Sequence, residues 1–278
     1  MAKTKLKTIY KLKWKNLLRL FIILCAFVLV VALGFSVVMV VRDRMRTVDI
    51  TEEIKNKVEI IATVDDEMTK TVKPDSKLSK FDAYWEYIKL SMLDVDMEAL
   101  KRINADSIGY VEIKGTEFSY PVVKSDNDFY KNHSFDKREN MFGWLYVDAS
   151  ENFEEIDDNT IIYGNKVWTG VLADKLSVLY KDEWKDNDDN YIVKFTTNHY
   201  SALYQVMSVY DVKGTDHLKT SFENDEEKLE FIKDIKASSK IKFKCDAKET
   251  DKFLTITTNS KSVNTTVVAK LIKYRTEN

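Results

Sequence analysis

The feature that most constrains this chain is an uninterrupted apolar segment near its N-terminus. Residues 20–41 read LFIILCAFVLVVALGFSVVMVV and include no charged side chain. As an α-helix these 22 residues would extend about 33 Å at ~1.5 Å per residue, slightly more than the ~30 Å hydrocarbon core of a bilayer. The sequence therefore predicts a transmembrane helix over residues 20–41.

The charges that flank this segment predict its orientation. Residues 1–19 carry seven Lys or Arg and no acidic residue, and the positive-inside rule assigns such a flank to the cytoplasm. We expect a cytoplasmic tail over residues 1–19 and an extracytoplasmic C-terminal part, in a single-pass protein of the cell membrane. A cleavable signal peptide is disfavoured, since its apolar core spans only about 7–15 residues and a small-residue cleavage site follows it. A buried soluble helix is disfavoured because it would carry a polar stripe.

The composition of the rest of the chain excludes several classes of protein. Residues 1–46 hold ten Lys or Arg and one Asp, which leaves 33 of the 43 basic and 44 of the 45 acidic residues beyond them, a net charge of −11. A surface of that sign argues against a nucleic-acid partner. Of the two cysteines, Cys25 lies inside the apolar segment and Cys245 far beyond it, so we expect no disulfide. No His/Cys spacing or glycine-rich loop points to a metal or cofactor.

Two segments follow the predicted membrane helix. Residues 42–78 are rich in charge and threonine and contain Pro74, which predicts an extracytoplasmic stalk with at most one short helix. Between residues 81 and 103 apolar side chains recur at helical spacing, and either Asp94 or Asp96 is placed to cap a second helical piece. We therefore expect one or two helices at the entry to a domain that covers residues 79–278.

From Gly109 onward the pattern changes to nine short runs rich in β-branched and aromatic residues. Helical patterns interrupt these runs at residues 171–180 and 224–237. The domain is therefore predicted to be mainly β with helices, built as a barrel or a sandwich.

Read in order, four segments resemble the class B sortases, which are cysteine transpeptidases that attach sorting-signal proteins to the envelope of Gram-positive bacteria. The segments are INADSIGYVEIKGTEFSYPVVKSDNDFYKNHSFD (103–136), NMFGWLYVDASENFEEIDDNTIIYGN (140–165), SFENDEEKLEFIKDIK (221–236) and DKFLTITTNSKSVNTTVVAKLI (251–272). The resemblance implies an eight-stranded, mostly antiparallel β-barrel preceded by N-terminal helices.

The three catalytic positions of that family are altered in this sequence. The family histidine ends a T-I-I-Y-G-H motif, and here the same text ends in Asn165; the family cysteine ends L-T-L-S-T-C, and the matching text ends in Asn259. The family arginine falls on Asn264, or on Thr265 if the register is shifted by one residue. An amide is neither a nucleophile nor a group that titrates near neutrality. The resemblance thus implies a pseudoenzyme that has the fold without the chemistry.

The alternative is an active transpeptidase or hydrolase that uses displaced residues. Cys245 is the only thiol of the predicted outer part, but it lies 14 residues before the motif position. His133, His199 and His217 are read as ordinary solvated or hydrogen-bonding histidines.

A peptide groove is the remaining functional feature that the resemblance implies. Asn127 and Tyr163 match family positions near the peptide site, and Thr257 lies two residues before Asn259. These three residues are expected to line a groove that binds sorting-type peptides, although Asn127 and Tyr163 equally suit a loop and a strand end. The expected function is a non-catalytic surface protein that binds sorting peptides or a partner such as an active sortase, and so regulates or scaffolds surface-protein attachment. A purely structural stalked domain is a further alternative.

Overall fold

A computed structural model describes residues 14–74, 78–80, 82–126, 128–165, 171–259 and 263–276. The chain divides between Asp43 and Arg44 into two compact units. The long helix α1 (Trp14–Lys57) contains the apolar segment predicted from the sequence. By length and composition α1 is able to cross a membrane, and most of the large apolar side chains in the segment are exposed.

The second unit contains all the strands of the described chain. Three short strands come first, β1 (Ile60–Ala62), β2 (Thr69–Thr71) and β3 (Leu93–Val95). Eight more follow: β4 (Ser107–Ile113), β5 (Ser119–Lys124), β6 (Tyr146–Val147), β7 (Asn159–Asn165), β8 (Ile192–Thr197), β9 (Tyr200–Lys213), β10 (Phe253–Asn259) and β11 (Val263–Thr276).

These eight strands form a closed barrel. The order is β10-β7-β6-β5-β4-β8-β9-β11, and the pairing of β10 with β11 closes it. The pairs β10–β7 and β5–β6 are parallel and the others antiparallel. The predicted eight-stranded, mostly antiparallel barrel is confirmed. Large side chains on and beside these strands are buried in the core, among them Tyr110, Trp144, Phe195 and Phe253, all at most 1% exposed.

Four helices accompany the barrel: α2 (Tyr84–Tyr87), α3 (Met97–Ile103), α4 (Asp182–Lys185) and α5 (Asp225–Ser238). The side chain of Asp96 caps α3 by accepting a hydrogen bond from the backbone N–H of Ala99, as one of the two capping alternatives predicted. Asn224 caps α5 in the same way through the N–H of Glu227. The helical pattern at residues 171–180 forms a 3₁₀ helix, Leu172–Tyr180.

The structure differs from the expected stalk over residues 42–78. Ile50 and Ile54, in the last turns of α1, are at most 4% exposed within the second unit, and β2 extends the sheet by pairing with β11. The sequence Thr-Lys-Thr has too little apolar character to indicate a strand; its backbone is ordered by the edge of β11, which local sequence does not reveal. One of the nine β-rich runs from which strands were expected, KIKFK at residues 240–244, has no regular structure.

Candidate functional site

The candidate site lies where two parallel strands end side by side. β7 and β10 pair in register from Asn159 with Phe253 to Asn165 with Asn259. Parallel neighbours lie about 4.8 Å apart and point register partners to the same face. The two asparagines that the sequence assigns to the family histidine and cysteine positions are therefore adjacent, and both are partly accessible at the strand ends.

Each of the two amide groups donates a hydrogen bond to a different neighbour. Asn165 Nδ2 donates to the backbone oxygen of Lys131. Asn259 Nδ2 donates to the hydroxyl of Tyr146, on β6, over 2.9 Å. The Asn165 side chain thus connects the end of β7 to the segment around Lys131, and the Asn259 side chain connects the end of β10 to β6.

Two tyrosines form an aromatic surface beside these amides. The rings of Tyr146 and Tyr163 stack with centroids 5.6 Å apart and an interplanar angle of 27°. Burial, followed by the charge of Asp148, raises the pKa of Tyr163 to about 12. Burial also raises the pKa of Tyr146. Both hydroxyls stay protonated near neutrality, so they can donate hydrogen bonds but cannot act as bases there.

The position of the Lys131 carbonyl depends on a glycine. Gly143 has φ +60°, and a Cβ there would lie 2.4 Å from the oxygen of Tyr130 and 2.8 Å from both the oxygen of Lys131 and Asn165 Nδ2. No other residue fits this contact without displacing backbone. Gly143 therefore allows the 129–143 segment to approach the end of β7.

The third position, Asn264, is placed differently from the other two. Asn264 is fully buried; its Oδ1 accepts a hydrogen bond from Thr258 Oγ1 over 3.2 Å, and its Nδ2 donates to the oxygen of Gly214 over 3.2 Å. The alternative position, Thr265, is also buried and donates to Asp211. Asn264 bonds the residue next to Asn259, so it lies behind the strand end rather than on its open face.

The three expected groove residues have different surroundings. Tyr163 is half-buried at the end of β7 and pairs in register with Thr257. Thr257 is fully buried, and its hydroxyl is 2.8 Å from that of Thr266, so a ligand at the surface would meet its backbone rather than its side chain. Asn127 lies outside the described residues.

The residues considered as substitutes for the catalytic groups, one cysteine and three histidines, have the following surroundings. Cys245 is 5% exposed in an apolar cluster with α5, and burial raises the pKa of its thiol to about 12. His133 stacks on Phe129 with centroids 4.0 Å apart, and His217 bonds the Tyr210 hydroxyl at 3.0 Å. His199 occupies the turn between β8 and β9. Within the described ranges no group of three or more His, Cys, Asp or Glu could hold a metal ion.

Sequence reasoning did not identify Tyr146 or Lys131 as parts of this site. Tyr146 belongs to a two-residue strand, and its role follows from pairing with Tyr163 across β6 and β7. The only available signal was the apolar run Trp-Leu-Tyr-Val before Asp148. Lys131 contributes a backbone oxygen, for which side-chain identity gives no signal.

Known proteins share this fold and arrangement of segments. The chain is 28% identical over 183 residues to the sortase B of Staphylococcus aureus, covering 63% of this chain and 74% of that protein. A structure of S. aureus sortase B described as a substrate complex superposes with a TM-score of 0.58 at 28% identity, over 63% of this chain and 84% of that one. A structure of Clostridium perfringens sortase B superposes with a TM-score of 0.58 at 28% identity, over 64% of this chain and 88% of that one. No family model matches the chain.

A closed eight-stranded barrel with a parallel strand pair ending at a polar site defines a sortase-like protein. The 28% sequence identity to sortase B is more specific than the barrel fold alone. In both sequence and fold the chain is similar to the sortase B family.

Proposed function

We propose that this protein is a catalytically inactive, membrane-anchored member of the sortase B family. It binds sorting-type peptides or an envelope partner and regulates or scaffolds surface-protein attachment. The observation that carries the proposal is the adjacency of Asn165 and Asn259 at the ends of β7 and β10. In the motif alignment, the thiol and imidazole of the family are both replaced by amides at the point where they would have to meet.

Two amides at this point supply hydrogen bonds but no covalent or proton-transfer chemistry. A thioester requires a thiolate, and a general base contributes about 10²–10⁴-fold to a rate. The groups that accept hydrogen bonds from Asn165 and Asn259 are the Lys131 backbone oxygen and the Tyr146 hydroxyl. Neither is a thiolate or a general base. The alternative, an active enzyme that uses Cys245, is disfavoured because that thiol is buried and its pKa is raised to about 12.

A site of this kind can bind a peptide without reacting with it. Amide groups and strand-end backbone bind extended peptides through hydrogen bonds, and the stacked rings of Tyr146 and Tyr163 offer an aromatic surface beside them. A relative has a structure described as a substrate complex, which supports ligand binding by this fold. We propose that this face binds an extended sorting-type peptide without cleaving it.

Fluorescence polarisation of labelled sorting-type peptides with the full-length protein in detergent tests binding. Tyr163→Ala should weaken binding by roughly tenfold, as expected for an aromatic residue worth more than ~1 kcal/mol in an interface. Tyr274→Ala is the matched control, because Tyr274 is a half-buried tyrosine on β11 that pairs with β2, away from the asparagines. Equal losses in the two variants, or no binding by the unmodified protein, would refute peptide binding at this face.

The proposed anchor is tested separately. The N-terminal flank is basic and α1 is long and apolar enough to span a bilayer, so we propose that residues 1–19 face the cytoplasm. Protease added to intact cells should digest the part beyond α1 and leave an epitope fused before residue 1 protected. Recovery of the protein in the soluble fraction, or loss of the epitope, would contradict the anchor or its orientation.

A further inference from the structure

The last turns of α1 contact the segment that forms one wall of the candidate site. Residues 44–57 of this helix belong to the second unit, and Thr47 is 1% exposed there. The hydroxyl oxygen of Thr47 accepts a hydrogen bond from Asn140 Nδ2 over 3.0 Å. Beside this bond, Arg46 Nη1 donates to the backbone oxygen of Glu139 over 3.2 Å. Both contacts join residues 93 positions apart in the sequence.

Asn140 connects this helix contact to the rest of the segment. It is 2% exposed, and its backbone N–H donates to the oxygen of Asn132 over 2.8 Å, while its backbone oxygen accepts from the N–H of Gly143 over 3.0 Å. Its side-chain oxygen accepts from the N–H of Phe142 over 2.9 Å, and its Nδ2 is the group that bonds Thr47. The side chain and backbone of Asn140 therefore fix a tight turn and fasten that turn to α1.

The arm that pairs with Asn140 carries the backbone oxygen that meets the candidate site. Next to the bond with Asn140, the N–H of Trp144 donates to the oxygen of Tyr130 over 2.9 Å. The following backbone oxygen, that of Lys131, accepts the hydrogen bond from Asn165 Nδ2. A continuous series of hydrogen bonds thus runs from α1 through the two arms of residues 129–143 to the end of β7.

The barrel strands close without these contacts. Residues 129–143 lie in the connection between β5 and β6, and the barrel is closed by the pairing of β10 with β11. A connection and a helix end can open together while the strands stay paired, and such local openings cost less free energy than global unfolding.

We propose that residues 44–57 of α1 and residues 129–143 open and close as one unit, so that the end of the proposed anchor helix positions the wall of the candidate site. Opening displaces the Lys131 oxygen that holds Asn165, so a peptide on this face binds the closed form; this step rests on the proposed function. Because coupling between two sites is reciprocal, peptide binding then stabilises the docked helix end by the same factor.

Hydrogen–deuterium exchange of the full-length protein in detergent tests the coupling. Thr47→Val keeps the shape of the side chain but removes the acceptor of Asn140 Nδ2, and a buried donor without an acceptor is costly. Exchange in peptides covering residues 138–144 and 47–57 should rise at least about fivefold, without a change in β8. Thr47→Ser retains the hydroxyl and should exchange at close to the rate of the unmodified protein. Thr51→Val is the matched control, because the Thr51 hydroxyl bonds the Thr47 backbone oxygen within α1, and it should leave residues 138–144 unchanged.

A second variant perturbs the helix end away from this contact. Ile54 lies about two turns beyond Thr47 in α1 and is 1% exposed, so Ile54→Ala leaves a cavity without altering the Thr47–Asn140 pair. If the two segments open together, exchange should rise at least about tenfold in residues 138–144 as well as in 47–57. A rise confined to α1 would overturn the proposal.

The effect of a bound ligand needs no substitution. A sorting-type peptide at ten times its dissociation constant should raise the protection of residues 138–144 and 47–57 about tenfold, and leave β8 unchanged. A peptide that protects residues 138–144 but not 47–57 overturns the coupling. A peptide that protects neither segment refutes peptide binding at this face, and the Thr47 and Ile54 variants then decide the coupling by themselves.

Three outcomes in the Thr47 series would also overturn the proposal. One is unchanged exchange of residues 138–144 in Thr47→Val. A second is an equal rise in Thr51→Val. A third is a rise of the same size in β8, which would indicate global destabilisation rather than positioning. If Thr47→Val does not fold, Ile54→Ala and the peptide measurement decide, since neither changes Thr47.

Discussion

Replacing the two asparagines tests whether the strand ends meet as the structure places them. In Asn259→Cys the introduced thiol should titrate near its unperturbed pKa of ~8.5, because the neighbouring amides carry no charge. Adding Asn165→His places an imidazole on the adjacent register position. An opposite charge within about 4–6 Å lowers a pKa by about 1–3 units, so the thiol of the double variant should titrate at about 6.5.

The measurement is the pH midpoint of iodoacetamide alkylation, followed by peptide-resolved mass spectrometry on the full-length protein. The midpoint is preferred to the rate at neutral pH. A two-unit fall in pKa raises the thiolate fraction at pH 7 from about 3% to about 75%, but it lowers the nucleophilicity of that thiolate about 6- to 10-fold. The two effects partly offset each other and change the rate by only about 2.5- to 4-fold. The midpoint reports the pKa itself.

Two controls accompany this experiment. Asn165→Gln with Asn259→Cys replaces the imidazole by a neutral amide and should return the midpoint to about 8.5. Cys245 reports on folding, since its buried thiol has a pKa of about 12 and should stay unmodified in the folded protein. Midpoints of the single and the histidine-containing double variant that agree within about 0.3 unit would refute the adjacency of the two positions.

Two further substitutions test the packing around the site and the barrel. The side chain of Lys273 is 1% exposed, and its ammonium group donates to both carboxylate oxygens of Asp65 and to two backbone oxygens. Lys273→Met should therefore lower the free energy of unfolding by about 3 kcal/mol and the Tm by about 6–12 °C. The exposed Lys89→Met should change stability by less than ~0.5 kcal/mol; similar losses in the two variants would contradict the buried role of Lys273. Gly143→Ala should cost more than Gly214→Ala in chemical denaturation, because both have positive φ but only Gly143 would bring its Cβ into contact with other atoms. Equal costs would contradict the close approach of residues 129–143 to β7.

The two strand ends were found in the sequence because each resembles a short motif of the class B sortases. Thr160–Asn165 and Leu254–Asn259 were identified from their letters, whereas the parallel pairing that brings their last residues together is a long-range contact that no local pattern encodes. The cap at Asp96 was foreseen as one of two options because capping is local.

Other elements depend on tertiary contacts and could not be read in advance. The strand β2 consists of Thr-Lys-Thr and is ordered by pairing with β11. The burial of Glu151 has the same origin: this residue lies in a sequence that reads as a charged loop, and the packing of Phe153 and Ile156 turns that loop inward. Local sequence predicted polarity there, whereas the fold determines burial.

Peptide cleavage tests the central claim, the absence of catalysis, most directly. The full-length protein and the variant Asn165→His/Asn259→Cys/Asn264→Arg are incubated in detergent with a panel of fluorogenic sorting-type peptides. Because Asn264 is fully buried, the double variant that retains it is measured alongside. We expect background signal from the natural protein and cleavage by a restored variant. Cleavage by the natural protein above background would show that it is an active enzyme.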